Sequence, residues 1–245
     1  MLYRRALTLW CSHVADEMAF ASAGVYANRS LSEISEANCI IGDVQPPLWA
    51  DIHAYFSAAK VRPLTWYFPE SAPTAAAGSW QPVELTLLRL SNPPLLKPIH
   101  AELTIIPARA SFRHAWQIAA HLRPAASAQQ AADAMMSHLD DPHVEALLAL
   151  RAGEAVAYAS VLSAGDVGLI TELFVHREWR HRGYGLAMAG QVLDMCRRSA
   201  FKHVLYAVPS ADQGALSFAA HIGLVSAATL LQYESTTPPE EYPSA

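Results

Sequence analysis

Cysteine, charge and long apolar runs are all scarce in this chain of 245 residues. Its three cysteines, Cys11, Cys39 and Cys196, stand far apart and are odd in number. They make neither a disulfide framework nor a metal-ligand cluster, and they suit a reducing cytoplasm. The eleven histidines are dispersed, with no H-x-x-x-H pair accompanied by a third ligand, so no metal is expected. No stretch reaches the roughly 20 apolar residues of a membrane span. The opening "MLYRRALTLWCSHVADEMAF" has two arginines before an apolar run, as a signal peptide has. His13, Asp16 and Glu17 interrupt that run early, and an amphipathic helix is the better reading. Charged residues make up only 16% of the chain, and the net charge is −5. That balance lacks the concentrated basic face of a nucleic-acid binder.

Hydrophobic residues make up 52% of the chain, enough for a substantial core. "ESAPTAAAGSWQP" (Glu70 to Pro82) reads as a loop, and the proline-rich "SNPPLLKPIH" (Ser91 to His100) as a linker. The expected division is an N-terminal region at 1–97, a larger domain at 98–235 and a flexible tail at 236–245. In the larger domain "AELTIIP" reads as a strand, "SFRHAWQIAAHL" and "SAQQAADAMMSHL" as helices, and "HVEALLALR" with "EAVAYASVLS" as a hairpin. "GLITELFVH" makes a third strand, and Leu186, Ala189, Val192, Leu193 and Cys196 then recur at helical spacing. "KHVLYAV", "DQGALSFAAHI" and "LVSAATLLQY" complete the order β-α-α-β-β-β-α-β-α-β, a mixed sheet flanked by helices.

Between that third strand and its helix lies "HREWRHRGYGLAM", residues 176–188. A strand entering a glycine loop that opens a helix aims several unpaired N–H groups, and the positive end of the helix dipole, at one point. Gly183 and Gly185 let the backbone approach phosphate oxygens, and Arg180 and Arg182 would neutralise them. Alone, the segment reads equally as a solvated basic turn. The spacing is neither the dinucleotide G-x-G-x-x-G nor a P-loop, since no Lys-Ser or Lys-Thr follows the glycines.

The spacing is R-x-x-G-x-G, and "LFVHREWRHRGYGLAMAGQVLDMC" resembles the acetyl-CoA-binding motif of the GNAT superfamily of N-acetyltransferases. The matching positions are Leu173 and Val175 on the strand, then Arg180, Gly183 and Gly185. "LYAVPSADQGALSFAAHIGL" is similar to the family's second motif, a strand followed by N-x-x-A, a helix and a terminal G-F. The resemblance covers about residues 101–234. It implies an α/β (α+β) fold with a mixed, mostly antiparallel central sheet, and acetyl-CoA as acyl donor. The backbone of His181, Arg182, Gly183, Tyr184, Gly185 and Leu186 would then hold the pyrophosphate, assisted by Arg180 and Arg182. Main-chain groups of Phe174 and Val175 would pair with the pantetheine arm in a gap beside "HVLYAV", and Asp212 stands in the asparagine position.

Acetyl transfer to an amine needs a group that accepts a proton. Glu172 is the candidate base, since strand alternation puts it on the face of Phe174 and opposite Leu173 and Val175; a substrate-positioning carboxylate is the other reading. His176 shares that parity at the strand exit. The family's usual acid is a tyrosine whose position here is Ala219, beside Phe218, and the terminal G-F is Gly223-Leu224. Ser217 and His221 are the remaining candidates on that helix, against the plainer reading of a surface serine and a capping histidine. The resemblance thus implies an N-acetyltransferase acting on a small-molecule, amino-acid or peptide amine by direct attack, as a monomer or homodimer. A non-catalytic acyl-CoA-binding sensor is the alternative that Ala219 favours, and a site for another phosphorylated ligand a third.

The N-terminal region shows less. "ADIHAYFSAAKVRPLTWYF" reads as a helix and a strand, and echoes "GALSFAAHIGLVSAATLLQY". The echo fits a degenerate second copy of the fold; helix-strand units also share such patterns by chance. No R-x-x-G-x-G precedes residue 95, so no second coenzyme site is expected. Tyr55, Trp66 and Tyr67 are placed either in the core or along the wall of the acceptor cleft.

Overall fold

The computed structural model describes residues 1–69, 79–91 and 102–236. Residues 70–78 of the expected loop, 92–100 of the linker and 237–245 of the tail lie outside them. The N-terminal region opens with helix α1 (Leu2–Ser12), then strands β1 (Asp16–Phe20), β2 (Ala23–Ala27) and β3 (Cys39–Gly42). Helix α2 (Trp49–Ala59), β4 (Thr65–Tyr67) and β5 (Trp80–Leu90) follow. The larger region contains β6 (Thr104–Pro107), α3 (Phe112–Leu122), α4 (Ala128–Asp140), β7 (Val144–Arg151), β8 (Glu154–Ala164) and β9 (Val167–Val175). It continues with α5 (Tyr184–Arg198), β10 (His203–Pro209), α6 (Gln213–His221) and β11 (Leu224–Ser235).

These strands form one mixed, mostly antiparallel sheet in the order β1-β2-β3-β4-β11-β5-β10-β9-β8-β7-β6. Apart from the edge strand β6, the order repeats when read inward from each side. Strands β1, β2, β3 and β4 pair antiparallel, antiparallel, then parallel. Strands β7, β8, β9 and β10 do the same. Each set is closed by the other region's strand: β11 pairs with β4, and β5 pairs with β10. The fold is therefore a pseudo-twofold pair of half-sheets with exchanged last strands, meeting at the antiparallel β5–β11 ladder.

Topology matches α2–β4 to α5–β10, since each helix-strand unit joins parallel neighbours. The sequence echo had aligned it with α6–β11 instead. The strands β1, β2, β3 and β5 escape sequence reading because they are short or lack clean alternation. Trp80 to Pro82, read as loop, begin β5. Pro82 pairs with Tyr233 on β11, while β10 covers β5 only from Leu85 to Arg89. Proline thus sits where one edge has no ladder partner, the position a strand tolerates.

Helices α1, α3 and α4 cover one face and α2, α5 and α6 the other. Helix α1 is amphipathic, as its sequence suggests. It buries Tyr3, Leu7, Trp10 and Cys11 against Tyr26, Cys39 and Ile41 of its own half and against Leu162, Val167 and Leu169 of the other. On the opposite face α2 closes over Trp49 and Trp66, packed edge to face with ring centroids 5.1 Å apart. Trp66 is core, Tyr55 donates its hydroxyl to the Asp16 carbonyl at 3.0 Å, and Trp116 lies exposed on α3. Ser127 caps α4 through its side chain, whereas Ser111 precedes α3 without a side-chain cap and hydrogen-bonds His114 at 2.6 Å. No helix among the described residues is long and apolar enough to cross a membrane.

Because β5 is hydrogen-bonded to β10 on one edge and to β11 on the other, the two regions should unfold together. Leu88, buried on β5 against Val208, Ala219 and Leu224, tests this. Leu88→Ala is expected to cost about 3 kcal/mol in urea unfolding, and to shift a single transition seen alike by tryptophan fluorescence and circular dichroism. Two transitions, only one of them shifted, would show independent halves.

Candidate active site

Two irregularities shape the end of β9. Opposite β8, Ser160 pairs with Glu172 and Val161 with Ile170, which leaves Thr171 as a bulge. The Thr171 and Ser160 hydroxyls meet there at 2.7 Å. On the other side, the parallel ladder with β10 ends at Ile170–Tyr206. Strand β10 turns away along β5. From Glu172 onward, β9 therefore presents an edge to a gap, at the place where an extended chain could add as a strand.

The chain leaves β9 through a 3-10 turn, Arg177–Trp179, and enters α5 at Gly183. Gly183 sits at φ 81° and His181 at φ 60°. The left-handed region is natural for glycine and costs a histidine strain. The first i→i−4 bond of α5 runs from Ala187 N–H to the Gly183 carbonyl, so the amides of Gly185 and Leu186 precede the helical ladder. His181, Arg182 and Gly183 are exposed at this end. Arg180 is held: its Nε donates to the Val175 carbonyl at 3.1 Å, tying the loop to the strand end. Arg182 lies over the Trp179 ring at 4.8 Å. Tyr184 turns its side chain into the core and donates its hydroxyl to Glu102 at 3.2 Å, so only its backbone faces the loop. A Cβ at Gly185 would meet Phe218 at 3.5 Å and Val175 at 3.6 Å, ordinary contact distances. Gly183 is thus the glycine that the backbone requires, and Gly185 is not.

The expected alternation holds. Leu173 and Val175 pack toward α5, while Phe174 packs toward α3 and α4. Glu172 shares the second face, where Arg123, just past α3, approaches its carboxylate at 3.6 Å. The stronger bond of Arg123 goes to Glu36 of the N-terminal half, at 2.5 Å from Nη2 and 3.0 Å from Nε. Arg123 holds the Glu36 carboxyl well below the usual range despite its burial. Glu172 goes the other way. Burial pushes its pKa up to about 7, Glu36 adds to the rise, and Arg123 opposes both. His138, stacked on Trp10 at 3.3 Å, lies behind Glu36 and is pushed down to about 4 by burial. His176 is half-buried at the strand exit, edge-on to His121 with centroids 4.3 Å apart.

The second motif folds as the expected strand and helix, β10 and α6. Asp212 caps α6, its Oδ1 accepting from Ala215 N–H at 2.9 Å. Ser217 and His221 face solvent, because the helical period turns Ala215, Ala219 and Ile222 onto the sheet. Ala219 is fully buried, in a cluster against which Leu173, Phe218 and Tyr206 also pack. Tyr206 stands on β10 at the last rung before the strands part. Burial pushes its pKa up to about 12, and the charges of Glu172 and Asp212 add to the rise. No sequence motif points to Tyr206. Its signal is positional: it comes from a strand beside the gap, not from the helix on which an acid was sought.

One group among the described residues has metal-ligand character. His13 Nε2 and His143 Nδ1 lie 2.6 and 2.9 Å from the two oxygens of Asp141. His13 follows α1 while the other two lie in the α4–β7 turn, so spacing along the chain cannot reveal the group. It sits away from the gap, and its hydrogen bonds suffice to clip the two halves together.

Residues 109–224 match the family model described as Acetyltransferase (GNAT) family. By this match residues 109–224, just under half of the chain, resemble a GNAT acetyltransferase domain. A GCN5-related N-acetyltransferase from Kribbella flavida shares the fold over 97% of this chain and 95% of its own, with TM-score 0.65 and 13% identity. One from Sphaerobacter thermophilus matches 88% of this chain and 76% of its own, at TM-score 0.56 and 18% identity. A tandem GNAT protein from the clavulanic acid biosynthesis pathway matches over 76% of this chain and 68% of its own, at TM-score 0.56 and 17% identity. Such identities establish the fold alone. The search of curated proteins found no match.

The opposed neighbours of Glu172 yield a two-way test. Arg123→Met removes the cation that lowers its pKa and should raise it by about one unit, whereas Glu36→Gln removes a repelling charge and should lower it by a similar amount. Carbon-13 NMR of labelled glutamate reads both. Shifts of one sign in the two variants would contradict the network.

Proposed function

We propose that the protein transfers an acetyl group from acetyl-CoA to a primary amine. The observation that carries this reading is strand β9: bulged at Thr171, parted from β10 beyond Ile170, and continued through Gly183 into α5. The loop from Arg180 to Leu186 holds the pyrophosphate with backbone amides, helped by Arg182 and the α5 dipole. The β9 edge from Glu172 to Val175 aligns the pantetheine arm, although the Val175 carbonyl already accepts from Arg180. Asp212 acts indirectly, by fixing the start of α6.

Glu172 takes the proton of the attacking amine. With a pKa near 7 it is ionised for part of the time at neutral pH and is a stronger base than an ordinary carboxylate. The amine nitrogen bonds to the thioester carbonyl carbon, the C–S bond breaks, and the pair leaves with sulfur. Tyr206 stays protonated across this range and donates a hydrogen bond to the departing thiolate, the duty that Ala219 cannot perform. Attack is direct, since Cys11, Cys39 and Cys196 are all buried and no thiol lies open for acylation. Those free thiols also suit a cytoplasmic location. The second reading, an acyl-CoA sensor without transfer, keeps the loop and denies a role to Glu172; Ala219 is what favours it.

Coenzyme A release on a panel of primary amines decides between them. The rate should climb through about pH 7 as Glu172 loses its proton, and Glu172→Gln should lower kcat by about 100-fold or more while acetyl-CoA affinity holds. Acetyl-CoA binding with no turnover on any amine would favour the sensor. Gly183→Ala should raise the KM for acetyl-CoA about tenfold, since alanine resists φ 81°, and Gly185→Ala should change it little. Equal effects at both glycines would count against the placement of the loop.

A further inference from the structure

On the Glu172 face of the sheet lies a cavity of about 950 Å³, between the α3–α4 turn, the β4–β11 junction and the 3-10 turns that follow β2. Arg123 forms part of its wall and reaches from there to Glu172 at 3.6 Å. Tyr67 and Leu122 supply apolar lining. The charges around it are unevenly matched. Each lining carboxylate already has a donor. Glu36 is bound by Arg123, Glu33 accepts from Ser127 N–H at 2.6 Å, and Glu234 accepts from Gln232 at 3.4 Å. Arg29, Lys60 and Arg62 also line the cavity, and among the described residues their side chains make no hydrogen bond or ion pair. Arg29 and Lys60 are exposed and Arg62 half-buried, so all three are available to a ligand.

Three cations around one cavity without a side-chain partner among the described residues, on a chain of net charge −5, are not explained by the packing of those residues or by overall charge. Nor do they belong to the coenzyme loop, which follows β9 and carries its own arginines, Arg180 and Arg182. We propose that this cavity binds an oxyanion carried by the amine acceptor, so that the substrate is an amine with an acidic group, of the size of an amino acid or short peptide. The inference rests on the acetyltransferase reading above. Its geometry is bipolar: the cations hold the acid, and the reacting nitrogen points along Arg123 toward Glu172. Guanidinium and ammonium groups recognise carboxylate and phosphate alike, so the oxyanion is a carboxylate or a phosphate monoester. The volume is near the upper end of small-ligand sites and leaves room for a dipeptide. The three residues come from a 3-10 turn, the left-handed end of α2 at Lys60 and the approach to β4. No spacing rule joins them.

The test is calorimetric titration of the full-length protein with coenzyme A present, using a dipeptide, its C-terminal amide, O-phosphoethanolamine and ethanolamine. At least one acid-bearing amine should bind tenfold or more tightly than its neutral counterpart, and the dipeptide and phosphate arms tell carboxylate from phosphate. Arg62→Gln, and separately Lys60→Gln, should erase most of that preference while the affinity for acetyl-CoA stays within twofold; Arg62→Lys should retain part of it. Equal binding of charged and neutral partners, no binding by any of the four, or a preference untouched by the variants would overturn the inference. Failure of the function is separable. Turnover of neutral amines without acid preference sinks the cavity and leaves the transferase. Charge-selective binding through Arg62 without coenzyme A release does the reverse.

Discussion

Strand β5 runs beside β11 along its whole length, from Leu90 against Leu224 to Trp80 against Ser235, and each of these strands completes the half-sheet of the other. The β5 segment Leu85–Arg89 closes the edge of β10, and the far end of β11 closes β4. Removing either would expose two rows of unpaired backbone groups in the middle of the sheet. This exchange makes the N-terminal residues part of the domain rather than an appendage. It also brings the turns after β2 against the α3–α4 turn, where Glu36 meets Arg123. The buried ion pair between the halves is thus a consequence of strand exchange.

That ion pair sets the character of Glu172. Burying a carboxylate without a full partner is costly, and Arg123 is only a partial partner because Glu36 holds it closer. The difference between 2.5 and 3.6 Å decides which carboxyl is ionised and which is poised. Glu36 takes the short contact and falls well below the usual range; Glu172 rises to about 7. A residue of the N-terminal half therefore tunes a group on β9 without touching it. For the folded state the sign is unfavourable. With its pKa above the value in the unfolded chain, Glu172 contributes stability below about pH 4.5 that is lost as pH rises toward 7. Poised groups of this kind are common where proton transfer is needed.

Much of the sheet and one side of the site were legible beforehand. The strands β7 to β10, the helices α3 to α6 and the loop at Gly183 carry local signals: alternation, helical periodicity, caps and a left-handed glycine. The faces of Glu172 and Leu173 followed from strand parity alone, because the Thr171 bulge lies before them and leaves their alternation intact. Legibility failed where the answer depended on a partner distant in sequence. Asp212 matched a motif position, yet its oxygen caps α6. Ser217 and His221 were the polar residues near Ala219 along the chain, and the helix turns both outward.

The sequence by itself determined the glycine loop and its setting: the strand, the turn and the helix are contiguous, so they are written in order over residues 167–198. The tertiary structure decided the rest. Tyr206 against the cluster that holds Ala219, Arg123 between two carboxylates, and Arg29, Lys60 and Arg62 around one cavity each bring together residues from separate elements. Only the crossing of β5 and β11 fixes how the N-terminal elements lie against the domain. Contiguous residues are positioned by local backbone preferences that a pattern records, whereas the surroundings of Glu172 and the cavity beyond Arg123 are assembled by long-range pairing that no local pattern contains.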